Sequence, residues 1–187
     1  TLTIGVDGHT AHARALVMPF DDPSAATVLL VLRDYVRRHH RLPRTLIVDN
    51  GKEFHSHELE FFCRMFGIEI RFRSPGEPRG AAMIERLLGA VETEVFSEME
   101  GNSLIMKENT RLVTKSVDPW RRVEWNLYAA YKAVEQYLFD VRAQRVHPAH
   151  GQSPDAFELA SRKATGEREF RMFKLDENMM LMTCPHA

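Results

Sequence analysis

Two acidic residues occupy positions from which their carboxylates could do chemistry together. Asp49 follows the apolar residues Ile47 and Val48 and precedes Asn50-Gly51, and Glu85 lies 36 positions later, near the start of a strongly helical segment. The stretch between them has the composition of a helix, a second strand and a loop rich in proline and glycine. This order predicts that a strand end and a helix present two carboxylates to a common point.

Carboxylates held close together favour divalent cations, because they repel each other and their pKa values rise unless positive charge neutralises them. Mg²⁺ typically takes one or two protein carboxylates together with substrate phosphates. Two such ions about 3.5–4 Å apart stabilise both the attacking and the leaving oxygen of a phosphoryl displacement. We therefore predict Asp49 and Glu85 as catalytic, metal-binding residues that share two Mg²⁺ or Mn²⁺ ions. Taken singly, each acid is more simply a solvated surface residue.

Basic residues surround the loop that precedes Glu85. The net charge of −1 argues against nucleic-acid binding through overall charge alone, so a local cluster is needed. The residues predicted to contact phosphate groups are Arg71, Arg73, Arg79 and Arg86. A second basic cluster at residues 37–41 is equally consistent with a solvated helix end.

The composition suits one sizeable domain with an appendage. The chain has 187 residues, of which 44% are hydrophobic, and its two cysteines form no pairing motif, which indicates a reducing compartment. No run of 18 uncharged apolar residues and no signal-peptide pattern is present, so we expect a soluble, cytoplasmic protein. Because it begins at Thr1 and ends within an apolar run, we expect a fragment of a longer protein.

The elements that must position the two acids follow from periodicity and from turn residues. Asp22 is expected to cap the first helix, and Ser56 and Gly67 to begin and end the second. The predicted order is a hairpin of strands at 2–7 and 13–18, a helix ending near His40, a strand at 45–48, a helix from Ser56, a strand at 68–72, a loop at 74–80 and the helix that carries Glu85.

The second half of the sequence predicts helices and then strands. Residues 101–119 lack periodicity, residues 123–141 have the pattern of a long helix, and Ser153-Pro154 begins a short one. Phe170 to Met182 has the pattern of strands in a second domain. The predicted domains are therefore a core at residues 1–100, a helical extension at 101–164 and the start of a further domain at 165–187.

Several blocks of the sequence resemble the catalytic core of DDE transposases and retroviral integrases. They are Val48 to Phe54, Ser74 to Pro78 and Glu85-Arg86, and the interval of 35 residues between the acids is the usual one in that family. Later residues are similar to the Mu-type branch: Tyr131, His147, His150-Gly151, Ser153-Pro154 and residues 165–168. The resemblance covers nearly the whole chain.

The resemblance implies an α/β fold of the ribonuclease-H-like class, with a mixed five-stranded sheet flanked by helices and followed by a small β-barrel domain. It implies a DDE-type polynucleotidyl transferase that cleaves DNA strands and joins 3′-hydroxyl ends to target DNA. The implied partners are the DNA of the element ends and of the target, further copies of the chain assembled on that DNA, and an ATPase. The implied location is the bacterial cytoplasm, with no membrane association.

One departure concerns the first acid of the family, which lies on the first strand of the sheet. Asp7 is the only early candidate, but the space before the first helix fits only one further strand, so residues 3–7 resemble the second strand of the family. We expect the first catalytic strand to precede Thr1. The chain as given should then bind metal poorly and catalyse nothing.

Two rival functions stay open, a structure-specific endonuclease of the same fold and a non-catalytic DNA-binding or assembly subunit. The histidines at positions 55, 57, 147 and 150 could suggest further metal ligands. For the first pair we favour exposed neighbours of a helix cap, and for the second a structural turn, because no cysteine or carboxylate lies at ligand spacing.

Overall fold

The computed structural model describes residues 1–73, 78–99, 125–148, 151–166 and 170–184. The chain opens with a hairpin in which β1 (Thr3–Val6) pairs antiparallel with β2 (Ala13–Val17). Asp7 closes the turn, because its Oδ1 accepts hydrogen bonds from the amides of His9 and Thr10 and from the Thr10 hydroxyl. Such side-chain-to-backbone bonds are the reason aspartate favours turns. The predicted hairpin is confirmed.

Helix α1 (Ala25–His39) follows, and Ser24 caps it by accepting a hydrogen bond from the Thr27 amide. The prediction that Asp22 caps this helix is wrong, because the backbone enters the helix two residues later than expected. The helix ends at His40, whose φ is 51°. One side of α1 is buried, and its buried apolar residues are Val28, Leu29, Leu32 and Val36.

A strand–helix–strand unit comes next. β3 (Thr45–Val48) and β4 (Glu69–Phe72) are parallel, and α2 (His57–Phe66) makes the crossover that parallel strands require. Ser56 caps α2 by accepting from the Leu59 amide, and Gly67 ends it with a φ of 70°. The predicted start and stop signals of this helix are both confirmed.

Helix α3 (Pro78–Glu94) carries Glu85 and leads into a 3₁₀ turn at Phe96–Glu98. The loop was expected to extend through Gly80, but the helix already begins at Pro78, because proline is well tolerated in the first helical turn. Residues 101–119, predicted to be irregular, lie outside the described residues.

Three further helices complete the described chain. α4 (Leu127–Gln136) continues through a π-helical turn at Tyr137–Val141 and through Arg142–Gln144. α5 (Pro154–Thr165) begins at the predicted Ser153 cap. α6 (Glu177–Met182) is capped by Asp176, which accepts from the Met179 amide.

Two apolar clusters hold these elements together. The first joins the hairpin to α3 and α4, and its most deeply buried members are Leu16, Leu87, Val91, Val134 and Leu138. The second joins α1, α2 and α6, and its most deeply buried members are Val36, Leu59, Phe62, Cys63 and Leu32. Burial raises the pKa of the Cys63 thiol to about 11, so this cysteine is a packing residue.

Two parts of the predicted architecture differ from the structure. The described strands form two separate two-stranded sheets, β1–β2 and β3–β4, so the five-stranded sheet is not confirmed. The prediction of strands from Phe170 to Met182 is wrong, because residues 177–182 form α6 and residues 170–176 contain no strand. A capping aspartate begins this helix, and Met179 turns into the second apolar cluster. The predicted domain boundaries at residues 100 and 164 stay predictions.

Candidate functional site

Asp49 lies directly after the buried end of β3, on the exposed side of a tight turn. Its Oδ1 accepts a hydrogen bond from the Gly51 amide at 3.1 Å, which fixes the side chain beside the strand end. Its Oδ2 lies 3.8 Å from a terminal nitrogen of Arg73, and the side chain is 59% exposed. Asp49 is therefore held in position by one hydrogen bond and keeps most of its oxygen surface open to a ligand.

Arg73 is placed by the backbone of the same sheet. Its amide donates to the carbonyl oxygen of Val48 at 2.9 Å, which extends the β3–β4 pairing by one bond. Its side chain is 21% exposed and reaches back over Asp49. The sequence predicted Arg73 as a phosphate contact, and the structure adds that it accompanies the candidate catalytic acid.

Glu85 lies in the middle of α3 and is exposed. Leu87, two positions on, is 2% exposed and belongs to the first apolar cluster, so packing of α3 against α4 and the hairpin fixes the rotation of the helix. The face that carries Glu85 consequently turns to solvent. The structure thus gives both predicted acids accessible carboxylates on rigid elements.

The donor chemistry of Asp49 and Glu85 fits a hard divalent cation, because both are exposed carboxylates. Within the described part of the chain, however, no three histidine, cysteine, aspartate or glutamate side chains come together as a metal site. The metal-binding role of the two acids therefore stays a prediction.

Asp7 has a different environment. Burial tends to raise its pKa, but the hydrogen bonds from Thr10, the Arg14 charge and the His9 amide together hold the pKa below its ordinary value. Its side-chain hydrogen bonds in the described part of the chain are all made by Oδ1, to residues of its own turn. This arrangement supports a turn-forming role.

The other three arginines predicted to contact phosphate differ from Arg73 in their surroundings. Arg71 is exposed and pairs with Glu69 at 2.9 Å on the outer face of β4. Arg86 is exposed and donates from Nε to the Ala82 carbonyl oxygen of its own helix at 2.8 Å. The side chain of Arg79 lies outside the described residues.

Of the four histidines considered as metal ligands, His55 and His147 make contacts that stabilise local structure. His55 stacks on Phe72, with ring centroids 4.4 Å apart, and its Nε2 lies 2.9 Å from Asn50 Oδ1. The His147 amide donates to the Gln152 carbonyl oxygen across a short turn. His57 begins α2 and is exposed, and His150 lies outside the described residues.

A polar network that the sequence did not predict locks α4 to α1. Asp34 is buried and accepts hydrogen bonds from Arg37, Arg38 and the Leu16 amide. Arg38 also donates to Glu135 at 2.5 Å and lies over the Phe139 ring. Burial tends to raise the pKa of Glu135, but Lys132 and Arg38 lower it to about 2. These partners lie up to 97 residues apart, so no local signal reveals them.

Helix α5 is tied to the hairpin by a second set of polar contacts. His12 lies 2.8 Å from Asp155, Arg14 pairs with Glu158 at 2.6 Å, and the His9 ring lies beside Phe157. The segment after α4 is thereby fixed next to the turn that holds Asp7.

Comparison with known proteins gives similarities in sequence and in fold. Residues 37–101 match the TnsB C-terminal domain family. The transposase for transposon Tn552 of Staphylococcus aureus is 26% identical over 107 residues, which cover 54% of this chain and 22% of that protein. The catalytic core domain of BIV integrase is similar with a TM-score of 0.53 and 18% identity, over 88% of each chain.

These matches support a transposase or integrase family. The likeness to the BIV core domain shows a fold of the ribonuclease-H-like α/β class, as the family resemblance implied. The chain spans about a fifth of the length of the Tn552 transposase, so the activity of a whole transposase is a matter for proposal. Among the helices of the described residues, none is long and apolar enough to cross a membrane.

Proposed function

We propose that this chain is part of the catalytic core of a DDE-type DNA transposase of the Mu-type branch. The observation that carries the proposal is the position of Asp49, an exposed carboxylate fixed directly after β3 and accompanied by Arg73, in a chain with an integrase-core fold. Glu85 is the second acid, on a helix whose rotation is set by its buried face.

Asp49 and Glu85 would hold two Mg²⁺ or Mn²⁺ ions in the assembled site, together with a third carboxylate. Bound ions of this kind stabilise charge on the attacking and the leaving oxygen of a phosphoryl displacement. The protein's own part is to fix the carboxylates on rigid elements, which the Gly51 amide does for Asp49 and the apolar packing of α3 does for Glu85.

The arginines would bind the DNA backbone. Arg73 places its guanidinium beside Asp49, and Arg86 lies on the same helix as Glu85, one residue further on. Arg79 belongs to the same set by its position in the sequence. Arg71 would release its ion pair with Glu69 and bind a phosphate instead. The substrates are the element ends and the target DNA, on which several copies would assemble in the bacterial cytoplasm, and an ATPase partner would select the target.

The experiment that tests the proposal follows labelled DNA carrying the element ends, with the full-length protein that contains this chain and a supercoiled target plasmid. With Mg²⁺ the label should enter the plasmid, and chelation by EDTA should prevent this. Cleavage without joining would instead identify a structure-specific endonuclease. Binding without either step would identify a non-catalytic DNA-binding or assembly subunit.

A further inference from the structure

A pocket of about 320 Å³ lies between α3, the hairpin turn and the segment after α4. Met83, Arg86 and Leu87 line it from α3, where their spacing of three and four residues places them on one helical face. Arg142, Arg145 and Val146 line it from the opposite side. A pocket of this size is at the lower end of the range that holds small ligands.

The charge of the pocket is positive and only partly neutralised. Arg145 donates two hydrogen bonds to Glu94, at 2.8 and 2.6 Å, so its charge is balanced. Among the residues that the structure describes, no carboxylate lies within ion-pair distance of Arg86 or Arg142, although the hydrogen bond from Arg145 and also the Arg142 charge lower the pKa of Glu94. Arg86 uses its Nε for the Ala82 carbonyl oxygen, which leaves the two terminal nitrogens of its guanidinium available to an anion.

Apart from His147, the rest of the wall is apolar. Met83, Leu87 and Val146 are joined there by Pro148 and Pro154, and Val146 is 62% exposed. Simple phosphate would satisfy the arginines but leave this wall in contact with water. A ligand that combines an anion with a flat, weakly polar ring would satisfy both, because guanidinium groups pair with phosphate oxygens and apolar walls accept a base.

We infer that this pocket binds one nucleoside monophosphate unit, with its phosphate on Arg86 and Arg142 and its base against Val146 and the prolines. The inference rests on the proposed function for its DNA source, because Glu85 and the pocket residue Arg86 are consecutive on α3, so a DNA strand bound at Glu85 lies within one helical turn of the pocket. An unpaired nucleotide of that strand would turn out of the stack to enter it. Free nucleotide has the same chemistry and is the other source.

The first arm of the test uses free nucleotide and the full-length protein in isothermal titration calorimetry. We expect dAMP to bind about tenfold more tightly than either inorganic phosphate or deoxyadenosine. Phosphate alone lacks the contact of the base with the apolar wall, and deoxyadenosine lacks the contact of the phosphate with the arginines. Arg86→Ala and Val146→Glu should each remove this preference. The matched controls are Arg64→Ala on the exposed face of α2 and Leu159→Glu on α5, both exposed and outside the pocket, and they should keep it.

The second arm identifies the source by measuring the anisotropy of labelled DNA hairpins with one unpaired nucleotide. If the pocket takes a nucleotide of DNA, an abasic site in place of the unpaired nucleotide should weaken binding about tenfold, and Val146→Glu should abolish the difference. A preference for dAMP without discrimination against the abasic hairpin would assign the pocket to free nucleotide.

The inference is overturned if dAMP binds no better than phosphate and the abasic hairpin binds as well as the intact one. It is also overturned if Arg86→Ala and Val146→Glu leave both preferences unchanged. Failure of the pocket and failure of the proposed function are separable. If DNA is joined but the abasic hairpin binds as well as the intact one, the proposed function is retained and the pocket is rejected. If dAMP binding depends on Arg86 and Val146 but no DNA is joined, the pocket is retained and the proposed function is rejected.

Discussion

At the scale of single residues, Asp49 and the two ends of α2 are positioned by their neighbours in sequence. The turn at Asp49, the cap at Ser56 and the helix end at Gly67 follow from side chains and backbone a few residues apart. The pairing of Arg71 with Glu69 was not predicted, because it depends on which side chains share a face of β4. The position of Asp49 therefore rests on local chemistry, and the partners of the arginines on tertiary structure.

Arg73 should contribute a phosphate contact. Replacing Arg73 with alanine should lower the slope of log K against log salt for DNA binding by about one unit, because one fewer counterion is released. Titrations at several salt concentrations measure this slope. Arg71→Ala and Arg79→Ala should each act in the same way. The exposed Arg64→Ala on α2 should leave the slope unchanged, and an equal effect of Arg64 and Arg73 would show that these arginines are ordinary surface charge.

His39 should make stability depend on pH. Burial lowers its pKa to about 4, and the nearby charges of Arg14, Arg41 and His12 act in the same direction, whereas the contact with the Arg14 carbonyl oxygen opposes them. The unfolded state therefore binds more protons between about pH 4 and 6.5, so stability is complete above pH 6.5 and declines as the pH falls towards 4.

Urea denaturation between pH 4.5 and 7 measures the contribution of His39. The His39→Gln variant should lose about 1 kcal/mol of the pH-dependent change, a value reduced by solvent at this half-buried site. The exposed His57→Gln variant serves as the control and should retain the slope of the unmodified protein. An unaltered slope in His39→Gln would contradict the assignment.

At the scale of elements, the sequence indicated most helices but not how they pack. The periodicity of α1, α2 and α3 reports their buried faces directly. The docking of α4 on α1 depends on Asp34, Arg38 and Glu135, which are too far apart in the chain for a local pattern to reveal their contact. Residues 170–182 have the apolar content of strands, but Asp176 begins a helix there by capping it.

Asp34 should be the most sensitive member of the network between α1 and α4. Asp34→Ala should lower the free energy of unfolding by about 3 kcal/mol. It leaves the Leu16 amide without an acceptor in a buried site and removes one carboxylate partner from each of two arginines. Urea denaturation gives the value. Glu60→Ala, which removes an exposed pair with Arg64, should change stability by less than about 1 kcal/mol. Similar losses in the two variants would contradict the role of the network.

Helix α6 should stabilise α1 and α2. Met179 is 3% exposed in the second apolar cluster, and Arg33 of α1 donates to the Thr183 hydroxyl and to the Met180 carbonyl oxygen. Met179→Ala should therefore cost about 2–3 kcal/mol in free energy of unfolding. Leu181→Ala on the exposed side should cost less than about 0.5 kcal/mol. Equal effects would show that α6 is not docked as described.

At the scale of the whole molecule, the ribonuclease-H-like class was predictable and the sheet was only partly so. The order of strands and helices up to α3 follows from periodicity and turn residues, and the likeness to an integrase core agrees with it. The two sheets stay separate among the described residues, with β1 and β3 each paired on one side. The candidate site is likewise predictable only in part, since the sequence places Asp49 and Glu85 on different elements but their shared metal site stays a prediction.

The most direct test of the central claim is strand transfer by Asp49→Asn and Glu85→Gln in the full-length protein with Mg²⁺. Both substitutions keep the size of the side chain and remove its charge, so both should abolish cleavage and joining. DNA binding, measured on the same preparations, should change by less than about threefold, because the proposal gives the two acids the role of holding metal and leaves phosphate binding to the arginines. Strand transfer at the unmodified rate by either variant would contradict the account.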